Sequence, residues 1–300
     1  MPGRRATARV SGISVTDAEV NPAACQSERI DGGTAQIQGS FLRRSLVALA
    51  LAVLIPLAVA PPADAARPSD RLYVALGDSF AFGIGASDPA TQGYPAQLLE
   101  MLRTPGVWRV GDLDNVSVPL FENSRSILDG QLSATLERID DPATDTRVAT
   151  LGIGGNDLGF GGPCDQAPAG EACGFVANYT TLLASLSAAL ARDRGPEALV
   201  VLTYYNPFQG TPNESRWDDL LVGSDGRVDC SGEGEQIGLN DLIACIGQRF
   251  GARVADVYPV LEGRIPELSA AGTHLNDTGY ALVAEVVTRV LRRHLHDVLR

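Results

Sequence analysis

Along residues 72–295 short apolar runs alternate with stretches of helical periodicity. Runs of four to six residues at Leu72–Leu76, Val116–Phe121, Val148–Ile153, Leu199–Thr203 and Val254–Val257 predict strands. Between them, apolar residues recur at three- and four-residue steps in Tyr94–Leu102, Leu128–Ile139, Tyr179–Arg192 and Leu239–Phe250. A last helix is expected over about Thr278–Leu295, where Leu282, Val286 and Val290 share one face. Asn276-Asp277-Thr278 offers it an N-cap, and Gly195-Pro196 closes the third helix. Strands and helices that alternate in this way build a parallel sheet with helices on both faces. Two stretches rich in Gly, Pro, Asp and Ser, Gly159–Gly174 and Asn206–Gly234, follow strands on the side where such sheets bind ligands.

The amino-terminal region has a different pattern. Arg43-Arg44 precede an unbroken apolar stretch from Leu46 to Ala60, and Ala63-Asp64-Ala65 follows it. That order is the order of a secretory signal peptide, with cleavage expected near Ala65. The apolar stretch is short of the roughly 20 residues a membrane span needs. The domain reading is therefore an extension plus signal peptide over 1–65 and one domain over 66–300, exported and without stable membrane insertion once cleaved.

The formal charge of −12 argues against nucleic acid as a partner. Beyond the leader stand four cysteines, Cys164, Cys173, Cys230 and Cys245. An even number in an exported chain suggests two disulfides, and three pairings are open. Local pairs, Cys164–Cys173 and Cys230–Cys245, are favoured because each ties one loop-rich segment and stabilises it by roughly 2–3 kcal/mol. No Cys-x-x-Cys spacing occurs, which argues against zinc.

Three polar groups fall at ends of predicted strands. Gly77-Asp78-Ser79 ends the first run, Gly154-Gly155-Asn156-Asp157 ends the third, and His274 precedes the last helix. A serine hydroxyl is almost wholly protonated at neutral pH and needs a base to act as a nucleophile. His274 can be that base. His294 and His296 stand among Arg292, Arg293 and Asp297 at the end of the last helix and read as solvated. A tetrahedral oxyanion needs donors, and the Ser79 N–H and the Asn156 amide are candidates, with Gly155 allowing close backbone approach. Phe82, Ile84 and Phe160 hint at an acyl groove.

Taken together, Gly77-Asp78-Ser79-Phe80, then Gly155-Asn156-Asp157, then His274 followed by Asn276, Gly279 and Tyr280, resemble the three marker blocks of the SGNH, or GDSL-type, hydrolases. The resemblance spans nearly the whole of 66–300. It implies a flavodoxin-like three-layer fold with a five-stranded parallel sheet of order 2-1-3-4-5. It implies carboxylic ester hydrolysis through an acyl-enzyme with no cofactor, with Ser79 as nucleophile, His274 as base and Asn156 in the oxyanion hole; a monomer is expected. The substrate is then a lipid, glycan or other small-molecule ester.

Two departures from the family pattern stand out. The acid expected two or three residues before the base is replaced by Ala271 and Gly272, which leaves a Ser–His dyad. The second block reads Asn123-Ser124-Arg125-Ser126, with no glycine after Ser126, and Gly130 is expected inside the helix. A donor from the Ser124–Ile127 turn, Ser126 included, is the expected substitute. Two alternatives stay open beside a lipid or short-chain esterase. One is a polysaccharide acetylesterase, and the other is a degenerate family member that binds its ligand with little turnover.

Overall fold

The computed structural model describes residues 71–103, 108–158, 174–192, 197–223 and 237–298. The described residues belong to one compact unit, Pro62–Arg300. The expected leader at 1–65, Phe160, the Gly195-Pro196 stop, and Cys164, Cys173 and Cys230 lie outside them.

Strands β1 (Arg71–Gly77), β2 (Asp112–Asn115), β3 (Asp145–Gly152), β4 (Ala198–Leu202) and β5 (Arg253–Ala255) form one parallel sheet of order β2-β1-β3-β4-β5. The order matches the expectation. β1 is buried from Leu72 onward, and every residue of β3 and β4 is buried. A strand covered on both faces by helices is mostly apolar, which is why these three runs were plain in the sequence, although β3 opens with the buried polar residues Asp145, Thr146 and Arg147.

The helices are α1 (Ser79–Phe82), α2 (Pro89–Gln92), α3 (Tyr94–Arg103), α4 (Ser124–Asp129), α5 (Gln131–Ile139), α6 (Phe175–Leu190), α7 (Glu214–Val222), α8 (Leu239–Arg249), α9 (Tyr258–Leu261), α10 (Ile265–Leu268) and α11 (Asp277–Val298). α3 packs on α11, while α5 and α8 pack on α6, so the two groups cover the two sheet faces. A small antiparallel hairpin, β6 (Ser269–Ala271) and β7 (His274–Leu275), leads into α11. Asn276 caps α11 as expected, its Oδ1 accepting the Gly279 N–H at 3.0 Å. Among the described residues no helix is long and apolar enough to cross a membrane.

Two expectations shift. The second strand is Asp112–Asn115, not Val116–Phe121. It is an edge strand, half exposed and polar, so the apolar run marks the segment after it. That segment still follows β1, with Val118 N–H bonded to the Gly77 carbonyl at 3.3 Å, and it then carries Leu120 and Phe121 out to solvent. The second helix is broken. α4 begins early because Asn123 and Ser126 form a capping box, and it ends at Gly130, whose φ −131°, ψ −80° is not helical. Gly130 thus stands between two helices and not inside one.

Candidate active site

The serine turn is built from glycine outward. Gly77 has φ +147°, and a β-carbon there would stand 2.1 Å from the Gly152 carbonyl oxygen, so only glycine lets β1 lie this close to β3. Gln131 brackets the same peptide: Gly77 N–H donates to its Oε1 at 3.1 Å and its Nε2 donates to the Gly77 carbonyl at 2.9 Å. Asp78 then caps α1, its Oδ1 accepting the Phe80 N–H at 2.9 Å. Ser79 is the first residue of α1. The N–H groups of a first helical turn have no intrahelical partner and point out of the helix.

His274 Nε2 lies 2.9 Å from Ser79 Oγ, although 195 positions separate the two residues. The imidazole is half-buried, and burial alone lowers its pKa below the ordinary 6.5. Its backbone is fixed from three sides. Tyr205 donates its hydroxyl to the Thr273 carbonyl at 2.7 Å, Leu275 lies in the hairpin with His274, and Tyr280, by donating to the Ile84 carbonyl at 2.6 Å, holds the loop that carries Gly85. Gly85 packs directly on the His274 β-carbon.

Asn156 sits in a 3-10 turn, Gly155–Leu158, at the end of β3. One amide hydrogen goes to the Glu122 carbonyl at 2.7 Å, and Nδ2 is 3.5 Å from Asp78 Oδ2. A primary amide has two hydrogens, so both are engaged here, and the long bond to Asp78 is the weaker one, which an entering acceptor would displace. Asp157 anchors the neighbouring helix, accepting Ser124 N–H at 3.0 Å and Ser124 Oγ–H at 2.6 Å. Burial pushes its carboxyl up to about 6. Asp78 is only 2% exposed, and burial pushes it up to about 7 against hydrogen bonds from the Tyr204 hydroxyl and the Phe80 N–H.

These groups share an open hollow of about 120 Å³, lined by Asp78, Ser79, Phe80, Phe121, Gly155, Asn156, Tyr204, Tyr205, Pro207, Thr273 and His274. Of the residues singled out in the sequence, Ser79, His274, Asn156 and Gly155 therefore meet. Ser126 is placed elsewhere. Its hydroxyl accepts the Asn123 N–H at 2.8 Å and donates to the Asn123 carbonyl at 3.0 Å, so it serves the helix cap. Phe82 and Ile84 are not among the lining residues, and the aromatic walls are Phe80, Phe121, Tyr204 and Tyr205. Ala271 pairs with His274 across the hairpin, and Gly272 forms its turn at φ +63°. Asp277, the nearest acid in sequence after His274, does not orient the imidazole: both carboxylate oxygens are taken by Ser87, from N–H and Oγ–H, each at 2.7 Å. Cys245, on α8, is held in a disulfide, and the other cysteines lie outside the described residues.

Sequence reasoning missed Tyr204, Tyr205 and Phe121. The signal for the tyrosines was their position directly after β4, at the carboxyl edge where open α/β sheets bind ligands.

A parallel sheet of this order gathers a serine, an imidazole and an amide at its carboxyl edge. Residues 75–282 match the model of the GDSL-like lipase/acylhydrolase family, and the chain belongs to that family of carboxylic ester hydrolases. No curated protein sequence matches the chain. Several solved structures are distantly similar. A lipase from a goat rumen metagenome is 19% identical, with 73% of this chain and 96% of that one covered and a TM-score of 0.49. An acetyl xylan esterase is 17% identical over 73% and 98% of the two chains, with a TM-score of 0.48. A family 3 carbohydrate esterase from Clostridium thermocellum is 17% identical over 76% and 98%, also at 0.48.

Proposed function

We propose that this chain is a secreted serine esterase that cleaves small acyl esters through an acyl-enzyme. The observation that carries the reading is the 2.9 Å contact between Ser79 Oγ and His274 Nε2 inside a hollow that also holds Asn156. Neutral His274 takes the Ser79 proton as Oγ bonds to the ester carbonyl carbon. The carbonyl oxygen becomes an oxyanion, which receives hydrogen bonds from the Ser79 N–H and from the Asn156 amide hydrogen that in the free enzyme makes the long bond to Asp78. The intermediate collapses with loss of the alcohol, which leaves with the proton from His274. Water then repeats the sequence on the acyl-serine and frees the acid. Ser126 has no part in the donor set, since its hydroxyl is committed to Asn123.

The imidazole in this reading works without a carboxylate partner. Its orientation comes from the packing of Gly85 on its β-carbon and from the Tyr205 bond to the Thr273 carbonyl beside it. Neutralising a triad acid costs about 10⁴ in rate in a serine protease, yet catalysis survives from the oxyanion donors and binding.

The hollow is small beside the roughly 300–1,000 Å³ of pockets that enclose drug-sized ligands. That size favours a short acyl group such as acetyl, with the alcohol portion lying over the rim at Phe121 and Pro207. A polysaccharide acetylesterase is accordingly preferred to a long-chain lipase. Export, with cleavage near Ala65, is supported by the charged, apolar and small-residue order of the leader, and by a disulfide at Cys245. The pairing proposed is Cys230–Cys245, with Cys164–Cys173 as the second bridge, on a monomer without a cofactor.

The test is hydrolysis of p-nitrophenyl acetate against p-nitrophenyl palmitate by the wild type and by Ser79→Ala. Acetate turnover that vanishes with the hydroxyl supports the reading. Undiminished turnover in Ser79→Ala removes the serine from the mechanism.

A further inference from the structure

Tyr204 has no part in the mechanism just given, yet the fold holds it in place with unusual care. Its N–H donates to Asn240 Oδ1 at 2.7 Å and its carbonyl accepts from Asn240 Nδ2 at 2.8 Å, and Asn240 is fully buried. The ring lies over Gly155, where a β-carbon would come within 2.7 Å of Tyr204 Cε1, although the Gly155 backbone itself needs no glycine. The phenol hydroxyl ends 2.5 Å from Asp78 Oδ2.

We propose that Tyr204 is a positioning residue: by donating to the buried Asp78 carboxylate it holds Asp78 as the charged acceptor that fixes the Ser79 turn and the Asn156 side chain. This rests on the reading of Ser79 as nucleophile. One Asp78 oxygen takes the Phe80 N–H and so sets the helical turn that begins with Ser79. The other takes the phenol and lies 3.5 Å from the Asn156 amide nitrogen. Among the described residues no cation pairs with Asp78. A buried carboxylate without a cation keeps its charge only through hydrogen bonds that favour the ionised form. The titratable groups around it are Asp157 from the 3-10 turn, Tyr94 from α3, Tyr204 and Tyr205 after β4, Tyr280 from α11, and His274 from β7 across the hollow. Asp157 raises the Asp78 pKa, and the Tyr204 bond lowers it. Protonated Asp78 accepts fewer hydrogen bonds, so the amide and the serine turn lose their common anchor.

The experiment compares wild type, Tyr204→Phe and a chain carrying fluorotyrosine at 204, all full length. Titration of the Asp78 carboxyl is followed by carboxyl ¹³C NMR, the signal being assigned by its loss in Asp78→Asn. The phenylalanine keeps the ring on Gly155 and removes only the donor, so the Asp78 midpoint rises. A rise of one unit from about 7 cuts the ionised fraction at pH 7 by about fivefold, and kcat on p-nitrophenyl acetate follows, with KM little changed and the rate recovering above pH 9. Fluorotyrosine, a more acidic donor with the same ring, moves the midpoint down. A midpoint that stays put in both variants overturns the proposal, as does a kcat that falls equally at every pH. The titration needs no turnover, so an inactive wild type counts against the serine mechanism alone, while the NMR midpoint still decides the role of Tyr204.

Discussion

Gly85 lies against His274 so closely that a methyl group on Gly85 would come within 2.9 Å of the His274 β-carbon and 2.5 Å of the Leu275 carbonyl. Its φ of +95° is also one that a side chain resists. The loop after α1 therefore carries the serine turn and the base hairpin on a single contact. Gly85→Ala must displace the hairpin or strain the loop. The expected result is a loss of about 1–3 kcal/mol in stability. A displacement of about 1 Å can lower kcat by about 10²-fold. Denaturant unfolding and steady-state kinetics on one sample check both. Wild-type kinetics in the variant would show that the contact does not place the imidazole.

Activity should fall in two steps on the acid side. His274 must be neutral to accept the serine proton, and burial lowers its pKa, so its own loss comes below pH 6.5. Asp78 protonates near pH 7 and contributes the upper step. In Asp78→Asn the upper step disappears and a single one-proton fall remains below pH 6.5. A kcat profile of Asp78→Asn that keeps both steps would contradict this assignment.

Stability should run the other way. Asp78 and Asp157 ionise near 7 and 6 in the folded chain, against 3.8 when unfolded. A raised folded pKa means that the native state binds the extra protons between those values, so the stabilisation is full below about pH 3.8 and is lost as pH rises through 6 to 7. His274, with a lowered pKa, works in the opposite sense below 6.5. The melting temperature should thus decline between pH 5 and pH 8. Asp157→Asn, which keeps one acceptor oxygen for Ser124 and removes the titration, should flatten the decline. A melting temperature that rises across that interval would sink the account of the two carboxyls.

The fold was legible where burial on both faces forces a continuous apolar run, as in β1, β3 and β4. It was obscured at β2, where an edge strand has no need to be apolar and Leu113 is its only apolar side chain. The helix break at Gly130 was hidden because Leu128, Leu132 and Leu136 keep a helical four-residue spacing across it. In the site, Ser79, Asn156 and His274 stood out because each ends a strand or precedes a helix. Ser126 drew attention by its place in the block, but its bonds with Asn123 make it a capping residue, a choice only coordinates resolve. Tyr204 meets Asp78 across 126 positions, and no local pattern announces such a contact.

The central claim is that Ser79 is the nucleophile, activated by His274. Incubation of the folded wild type with a fluorophosphonate, followed by peptide mapping, tests it most directly. One adduct per chain, on Ser79, and strongly slowed labelling in folded His274→Ala are the results predicted. An unlabelled Ser79, or labelling at the same rate without the imidazole, would contradict it.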